Sequence, residues 1–239
     1  MRRRELRMPF WYPPILVYHR VHPDLRSDTP SLSPETFEQQ MGLLAQRWKP
    51  ISLSDLVQAL EGKAPLPHRA VVVTFDDGTD DNFTYAFPLL SRYRIPATLF
   101  MIAGNLGRAG FLSIDQAQEM QREGISFGSH TMNHDYLPSL PIEQARRSLL
   151  ESKRILQEAG LSVEFLSYPA GGFTQPILEA VTQAGYRAAC TTNRGLRRFP
   201  VNRWALRRIT MHSTATSALE LWIRCSGYCG LNRRLRSPS

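Results

Sequence analysis

Short apolar segments alternate with amphipathic segments along this chain, and this alternation constrains the fold more than any other feature of the sequence. Residues 70–75 read AVVVTF, a continuous β-branched run typical of a strand that is buried on both faces. The amphipathic segments carry apolar residues at helical spacing. The predicted strands cover residues 15–18, 70–75, 97–102, 125–128, 163–168, 186–191 and 206–211.

Helices are predicted between these strands. The first begins at Ser33-Pro34, an N-cap followed by proline in the first helical position, and its apolar residues recur at a period of 3.6. Repeated strand–helix units imply a parallel sheet with helices outside it, either open and doubly wound or closed as a barrel. In both arrangements the functional residues lie at the carboxyl ends of the strands. Further helices are predicted at 54–62, 82–93, 113–124, 141–159, 175–184 and 217–225.

Length and charge favour one domain with basic ends. A chain of 239 residues, 42% of them hydrophobic, suits a single domain with a sizeable core. The formal net charge is +8, and only three of the 29 basic residues are lysine. We expect basic tails at 1–14 and 229–239 around a catalytic domain at 15–228. The basic clusters could meet anionic glycan, lipid head groups or nucleic acid, but a solvated basic surface is the favoured interpretation.

The cysteines and the N-terminus bear on location. Three cysteines (Cys190, Cys225 and Cys229) make an odd count, which argues against a disulfide framework, and buried thiols are expected instead. The N-terminus imitates a signal peptide, but prolines interrupt its apolar run and no small-residue cleavage site follows. The run is also too short to span a bilayer. A cytoplasmic or peripheral membrane location is therefore favoured.

Histidines and carboxylates follow two of the predicted strands. His130 and His134 are four residues apart, so on a helical turn both imidazoles would face one ion. Asp76 and Asp77 follow a buried strand, where two charges need a partner. One carboxylate could bind a cation while its neighbour takes a proton from water. A capping histidine or a solvated turn would explain either motif alone; together they describe one open site with three ligands.

These motifs resemble those of the polysaccharide deacetylase family, which includes chitin, chitooligosaccharide and poly-N-acetylglucosamine deacetylases. TFDDG at 74–78 is similar to its first motif and HTMNH at 130–134 to its second. The similarity covers residues 15–225 and extends to YHRV at 18–21, SPETFEQQM at 33–41 and IPATLF at 95–100. It implies a distorted (β/α)7 barrel and a hydrolase of bacterial type acting on carbon–nitrogen, non-peptide bonds.

The resemblance also implies roles for the four motif residues. Asp77, His130 and His134 would bind one divalent metal, usually zinc in this family, and Asp76 would be the general base. The substrate would be an acetylated amino sugar in a polysaccharide, oligosaccharide or glycolipid. Asp76 would take a proton as water attacks the acetamide carbonyl, while the metal and a backbone N–H hold the oxyanion.

The third motif departs from the family pattern. Many members carry Arg-x-Pro-Tyr, whereas the corresponding stretch here is Ser167-Tyr168-Pro169-Ala170. This segment therefore supplies neither the arginine that would orient Asp76 nor the tyrosine. Tyr168, Pro169 and Ala170 are still expected to border the substrate, with the Ala170 N–H as oxyanion donor.

Three residues outside these motifs are further candidates. His212 follows the last predicted strand, where the family often supplies its catalytic acid, although an ordinary surface histidine fits equally well. His19 ends the first strand and, as a group that lines the pocket, is a second candidate for the catalytic acid; a hydrogen bond that fixes a loop is the favoured explanation. Trp204 could form a wall of the sugar site, or pack in the core.

Other functions remain open at this point. A hydrolase of the same fold could cleave a small amide or a cyclic imide, which needs a closed pocket and not a groove. Two histidines and a carboxylate also suit non-haem iron enzymes. A non-catalytic glycan-binding protein would not require Asp76, Asp77 and the two histidines. We expect no nucleic-acid partner, because no recognisable nucleic-acid motif accompanies the basic charge.

Overall fold

A computed structural model describes residues 12–25, 30–193 and 201–211, together with residues 220, 221 and 225. Seven parallel strands in this part of the chain form a closed barrel surrounded by helices. The strands are β1 (Ile15–Tyr18), β2 (Arg20–Val21), β3 (Ser31–Leu32), β4 (Lys49–Pro50), β5 (Ala70–Phe75), β6 (Ala97–Met101), β7 (Ser126–Ser129), β8 (Val163–Ser167), β9 (Ala188–Thr191) and β10 (Leu206–Thr210). The α-helices are α1 (Pro34–Arg47), α2 (Leu53–Leu60), α3 (Phe87–Tyr93), α4 (Ile114–Arg122), α5 (Ile142–Glu158) and α6 (Gln175–Gln183).

The barrel closes through β1. This strand pairs in parallel with β5 on one side and with β10 on the other, and β6, β7, β8 and β9 connect those two neighbours in chain order. The short β4 extends from β5, while β2 and β3 pair only with each other. Closure confirms the predicted (β/α)7 barrel and excludes the open, doubly wound sheet.

The predicted helix ends are largely confirmed. Ser33 caps α1 by accepting the N–H of Thr36, and Ser113 forms a capping box with Gln116 at the start of α4. The second helix begins earlier than predicted, because Ser52 forms a capping box with Asp55. Residues 82–93 divide into a π-helical turn (Asn82–Ala86) and α3, with Pro88 in the first turn of α3.

Strand residues alternate between the barrel interior and the helical layer. Ile15, Val72, Phe100, Phe165, Cys190 and Leu206 belong to one buried cluster, whereas their neighbours along the strands pack against the helices. Polar side chains continue the inward-facing series towards the carboxyl ends of the strands. The interior therefore changes from apolar to polar at the edge where the sequence predicts the site; the polar members are Thr74, Asp76, Ser167 and Arg208.

Some predictions concern the ends of the chain. Tyr12, Pro13 and Pro14 were assigned to the basic tail, but they are buried, and the Tyr12 hydroxyl accepts the Arg207 N–H at 2.6 Å. That boundary is therefore at least three residues too late. Residues 1–11, His212, most of the predicted helix at 217–225 and the tail at 229–239 lie outside the described residues. No helix in the described part of the chain has the length and apolar character needed to cross a bilayer.

Candidate metal and catalytic site

The three predicted ligands meet at the carboxyl edge of the barrel. The Asp77 Oδ1 atom lies 3.7 Å from His130 Nε2 and 3.8 Å from His134 Nε2. One ligand atom from each residue falls within a group no wider than 4.8 Å, which is the spacing of atoms around a single ion. Asp77 follows β5 and the two histidines follow β7, two strands away in the sheet. The structure therefore brings together three residues that belong to two separate sequence motifs.

The local backbone separates the two adjacent carboxylates. Asp77 has a φ of 73° and Gly78 a φ of 71°, so the chain reverses directly after Asp76. A Cβ atom at residue 78 would lie 2.3 Å from the Met101 sulfur, which is why this position needs glycine. Asp76 then faces the barrel interior while Asp77 faces the histidines. The expected division between a ligand and a neighbouring base is compatible with this turn.

The spacing of the two histidines was predicted to form a helical turn, and that prediction is wrong. Residues 131–133 form a tight turn, and Thr131 and His134 adopt left-handed φ angles of 66° and 60°. A helix would keep φ negative throughout. The imidazoles converge because two left-handed residues fold the chain back, with ring centroids 4.9 Å apart. Non-glycine residues in this conformation are uncommon and store strain that the surroundings must hold.

The donor set fits a divalent metal. Asp77 Oδ1 is buried and has no hydrogen-bond partner within the described part of the chain, a costly state for a carboxylate oxygen unless a cation faces it. His130 is 2% exposed, and its Nδ1 donates to the Ser167 carbonyl oxygen at 2.8 Å. That bond leaves the Nε2 lone pair directed at Asp77 and His134, as in metal-bound histidines. His134 is half exposed, so the site opens to solvent on that side.

Asp76 forms a buried ion pair that sequence reasoning missed. The Arg208 guanidinium donates to both carboxylate oxygens of Asp76, at 2.7 Å and 2.5 Å, and also to the Ser167 hydroxyl at 2.6 Å. Arg208 belongs to β10, so an arginine distant from the third motif orients Asp76 in this chain. The sequence contained a signal, since Leu206 and Arg208 share the inward face of a strand and a charge there needs a partner. Arg208 also belongs to a stretch rich in arginine, residues 194–208, for which the net charge favoured a solvated surface; its burial shows that this interpretation is wrong for Arg208.

The ion pair controls protonation. Burial raises the pKa of Asp76, but the charge and hydrogen bonds of the Arg208 guanidinium lower it more, so the pKa lies well below its ordinary value. Burial lowers the pKa of His130, and the nearby carboxylates only partly oppose this shift. Asp76 is therefore an anion and His130 a neutral imidazole at neutral pH. These are the protonation states that a base and a metal ligand require.

A family model that matches more than half of the chain shows which family the chain belongs to. The model described as polysaccharide deacetylase matches residues 63–189, a span that contains Asp76, Asp77 and both histidines. The chain belongs to the polysaccharide deacetylase family. It is 30% identical over 198 residues to YxkH of Bacillus subtilis (strain 168), a relative named after the same family; the alignment covers 82% of this chain and 70% of that one.

Solved structures similar to this polysaccharide deacetylase share its whole fold. Streptococcus pyogenes deacetylase PplD, solved in complex with acetate, has a TM-score of 0.82 and 26% identity, and covers 89% of this chain and 97% of its own. IcaB from Ammonifex degensii has a TM-score of 0.77 and 27% identity, covering 88% and 96%. The similarity therefore extends over nearly the whole barrel and is not restricted to the motifs.

The remaining predicted residues of this deacetylase are placed as follows. His19 follows β1, and its Nδ1 is buried without a hydrogen-bond partner among the described residues. Ala170 is exposed in a turn after β8 and has a left-handed φ of 53°. Pro169 beside it is buried. The structure thus brings His19 and the 169–170 turn to the carboxyl edge, while His212 lies outside the described residues.

Two residues predicted to contact the substrate occupy other places. Tyr168 is 1% exposed and packs against Phe173, and its hydroxyl donates to the Trp204 carbonyl oxygen at 2.9 Å. Burial raises the pKa of this phenol, and its side chain has no open face for a sugar. Trp204 precedes the amino end of β10 and carries the Arg203 guanidinium over its ring. Two interpretations of Trp204 were considered, a wall of the sugar site and a residue packed in the core. Core packing describes both Trp204 and Tyr168 better.

A network of polar side chains stabilises the strained turn between His130 and His134. The Asp135 N–H donates to the Thr131 hydroxyl at 2.8 Å, and the Ser148 hydroxyl donates to the Asp135 carboxylate at 2.5 Å. Ser148 Oγ also accepts the Met132 N–H at 3.2 Å. Helix α5 thus fixes the turn through Ser148, one residue outside the ligand set.

We expect Ser148→Ala to weaken zinc binding by about 10-fold or more, because loss of the groups that orient metal ligands typically has this effect. The measurement is competition for zinc with a fluorescent chelator. Glu151→Ala, an exposed position on the same helix, is the matched control and should leave the affinity unchanged. Equal affinities for wild type and Ser148→Ala would show that the turn holds its shape without this network.

Proposed function

We propose that this chain is a metal-dependent N-deacetylase that hydrolyses the acetamide of an amino sugar in an oligosaccharide, polysaccharide or glycolipid. One observation carries the proposal. Asp77, His130 and His134 present three ligand atoms to one point, and the Asp76 carboxylate lies beside them, 3.9 Å from His130 Nε2, without belonging to the ligand set. A three-ligand site with a neighbouring carboxylate is the arrangement that metal-assisted hydrolysis needs.

The residues of the chain divide the reaction between them. When bound, a divalent metal polarises the acetamide carbonyl and acidifies water. Asp76 accepts a proton from the attacking water as oxygen bonds to the carbonyl carbon. The Ala170 N–H is the expected donor to the developing oxyanion. The carbon–nitrogen bond then breaks, the amine nitrogen takes up a proton, and acetate leaves.

The Arg208 pair restrains Asp76 in one orientation. Both carboxylate oxygens accept from the same guanidinium, so the carboxylate plane is fixed relative to the ligand atoms. The ion pair lowers the basicity of Asp76, which slows proton transfer. In return it holds the carboxylate in the orientation needed to take a proton from water. A metal held by Asp77, His130 and His134 would acidify the water from which Asp76 takes the proton, and so would offset the low basicity of Asp76.

His19 is the described residue best placed to protonate the leaving amine. It follows β1 at the carboxyl edge of the barrel, and its buried Nδ1 has no hydrogen-bond partner among the described residues. His212 keeps the role that the family resemblance gives it, as the second candidate. Replacement of each by alanine, with a pH profile of the rate, distinguishes them, because only loss of the acid removes the alkaline limb of the profile.

The substrate class is supported by relatives with named substrates. One is the peptidoglycan-N-acetylglucosamine deacetylase of Bacillus cereus, 30% identical over 127 residues. Another is the poly-beta-1,6-N-acetyl-D-glucosamine N-deacetylase of Staphylococcus aureus, 26% identical over 175 residues. The chain spans 57% and 59% of the lengths of these two relatives. Acetylated glucosamine is the common chemistry, so we infer an N-acetylglucosamine glycan as the substrate and zinc as the metal.

The experiment is acetate release from N-acetylglucosamine oligomers by chelated protein that is reloaded with single metals. We expect no release from the chelated sample and recovery with about one equivalent of zinc, because three protein ligands define one ion. Release that survives chelation would contradict the proposal.

A separate experiment tests the peripheral membrane contact predicted from the basic ends. The protein is incubated with anionic vesicles at two salt concentrations, and we expect binding that weakens at the higher one.

A further inference from the structure

A half-exposed aromatic side chain stands between the two loops that form the site. Tyr136 comes two residues after the ligand His134 and is 50% exposed. Its carbonyl oxygen accepts the N–H of Ser139 at 3.0 Å and the hydroxyl of the same residue at 2.8 Å. These two bonds fix the backbone at Tyr136, so the half-exposed ring is held in place beside the metal-binding loop.

The ring of Tyr136 rests on a glycine of the other loop. A Cβ atom on Gly172 would lie 2.3 Å from Cε2 of this ring and 2.8 Å from its Cζ. Gly172 has ordinary angles, φ −78° and ψ 133°, so space for the ring is what requires glycine here. Gly172 is two residues from Ala170, the proposed oxyanion donor. The ring thus spans from the loop of the metal ligands to the loop of the oxyanion donor.

This placement suits recognition of a sugar ring. An aromatic face carries negative charge density and attracts the C–H groups of a pyranose, which carry partial positive charge. A ring already fixed by its own packing loses little conformational entropy when a ligand stacks on it. The acetamide of the reacting sugar must lie at Asp77 and the histidines, so a side chain at the rim faces the neighbouring sugar of the chain.

We propose that Tyr136 is a specificity-determining residue that stacks on the sugar next to the one being deacetylated. The inference rests on the proposed function, because it requires a glycan substrate with at least two linked sugars. Tyr136 contacts no reacting atom in this account. It favours oligomeric over single-sugar substrates and leaves the chemical step to Asp76 and the metal ligands.

The test compares two substrates on zinc-loaded full-length protein: an N-acetylglucosamine tetramer and p-nitrophenyl acetate, an acetyl ester without a sugar. We expect Tyr136→Ala to raise KM for the tetramer by about 10-fold, the effect of losing one aromatic stacking contact, with kcat changed by less than about 2-fold. The ratio of the two KM values, tetramer over ester, should rise by the same factor. Tyr136→Phe retains the ring and should restore the wild-type ratio.

A second variant tests the same contact from the other side. Gly172→Ala places a methyl group where the Tyr136 ring lies, so it should displace the ring and raise the KM ratio as well. In a Tyr136→Ala background the same change should have no further effect, since the two residues act through one contact. Leu150→Ala is the control. It truncates an exposed apolar side chain on α5, away from this contact, and should leave the ratio unchanged.

The outcomes separate the subsite from the proposed function. A tetramer-to-ester ratio equal in wild type and Tyr136→Ala, in samples with equal zinc content and equal melting temperature, would overturn the subsite. Additive effects of Tyr136→Ala and Gly172→Ala would also overturn it. Wild-type protein that cleaves the ester but releases no acetate from the tetramer would overturn the glycan assignment itself, and the subsite with it.

Discussion

Replacement of Arg208 by methionine is expected to lower the free energy of unfolding by about 3–5 kcal/mol, because it leaves a buried carboxylate without its partner. Asp76 is 4% exposed as a side chain and Arg208 is fully buried, so water cannot replace the lost hydrogen bonds. The measurement is urea denaturation of chelated protein, in which metal binding makes no contribution. Arg207→Met, at the adjacent and partly exposed position of β10, is the control and should cost less than about 1 kcal/mol.

The pH dependence of this loss identifies its cause. In the wild type the folded-state pKa of Asp76 is lowered from an ordinary value of 3.8, so the contribution is complete above that pH and is lost as pH falls below it. Without Arg208, burial raises the pKa of Asp76, and the folded state takes up the proton first. The gap between the two proteins should therefore narrow on acidification. A gap that stays constant with pH would show that Arg208 acts through packing and not through its charge.

A double variant separates the pair from its parts. Asp76→Asn combined with Arg208→Met removes both charges, and replacing both partners of a buried pair costs much less than removing one. We expect the double variant to be more stable than Arg208→Met alone. If it is less stable than either single variant, the two side chains stabilise the fold independently.

Replacement of Asp76 by asparagine is expected to reduce kcat by about 100-fold to 10,000-fold while the protein still binds one zinc ion, since Asp76 acts as the base and not as a ligand. Asp77→Asn removes a ligand, so its activity should fall through loss of metal. The two adjacent residues are therefore matched controls for each other. The measurement is acetate release and zinc content on the same samples.

Excess zinc sharpens the comparison. Saturating metal should restore part of the activity of Asp77→Asn, because two ligands remain, and none of the activity of Asp76→Asn. Because asparagine leaves the Arg208 charge unpaired, the melting temperature of Asp76→Asn is measured to confirm that the variant is folded. Rescue of Asp76→Asn by zinc would assign that residue to the metal and not to the base.

The strand–helix units could be predicted because strand pattern, helix caps and the order of elements all agree. The AVVVTF strand at 70–75, the capping serines at 33 and 113 and the alternating order of elements all favour parallel strand–helix units, and the structure has them within one or two residues. What local pattern could not decide was closure of the sheet. Pairing of β1 with both β5 and β10 is a long-range property, and only the family resemblance implied it.

The site shows a similar division between local and long-range information. The grouping of Asp76 and Asp77 with His130 and His134 could be predicted because each motif is contiguous in sequence. Arg208 was missed because its partner Asp76 lies 132 positions earlier, and only barrel closure brings β10 beside β1 and β5. The geometry of the histidine turn was missed for a different reason. A spacing of four suggests a helix, and the left-handed angles at Thr131 and His134 depend on the Asp135 and Ser148 network.

The most direct test of the account is to measure acetate and free amine together during incubation of a defined N-acetylglucosamine oligomer with the zinc-loaded protein. Hydrolysis of the acetamide produces one amine for each acetate, so the account predicts equal molar amounts of the two products and neither product after chelation. Acetate without a matching amine would indicate cleavage of an ester in place of the amide. Neither product from a protein that holds zinc in stoichiometric amount would contradict the assignment of this site to an N-acetylated amino sugar.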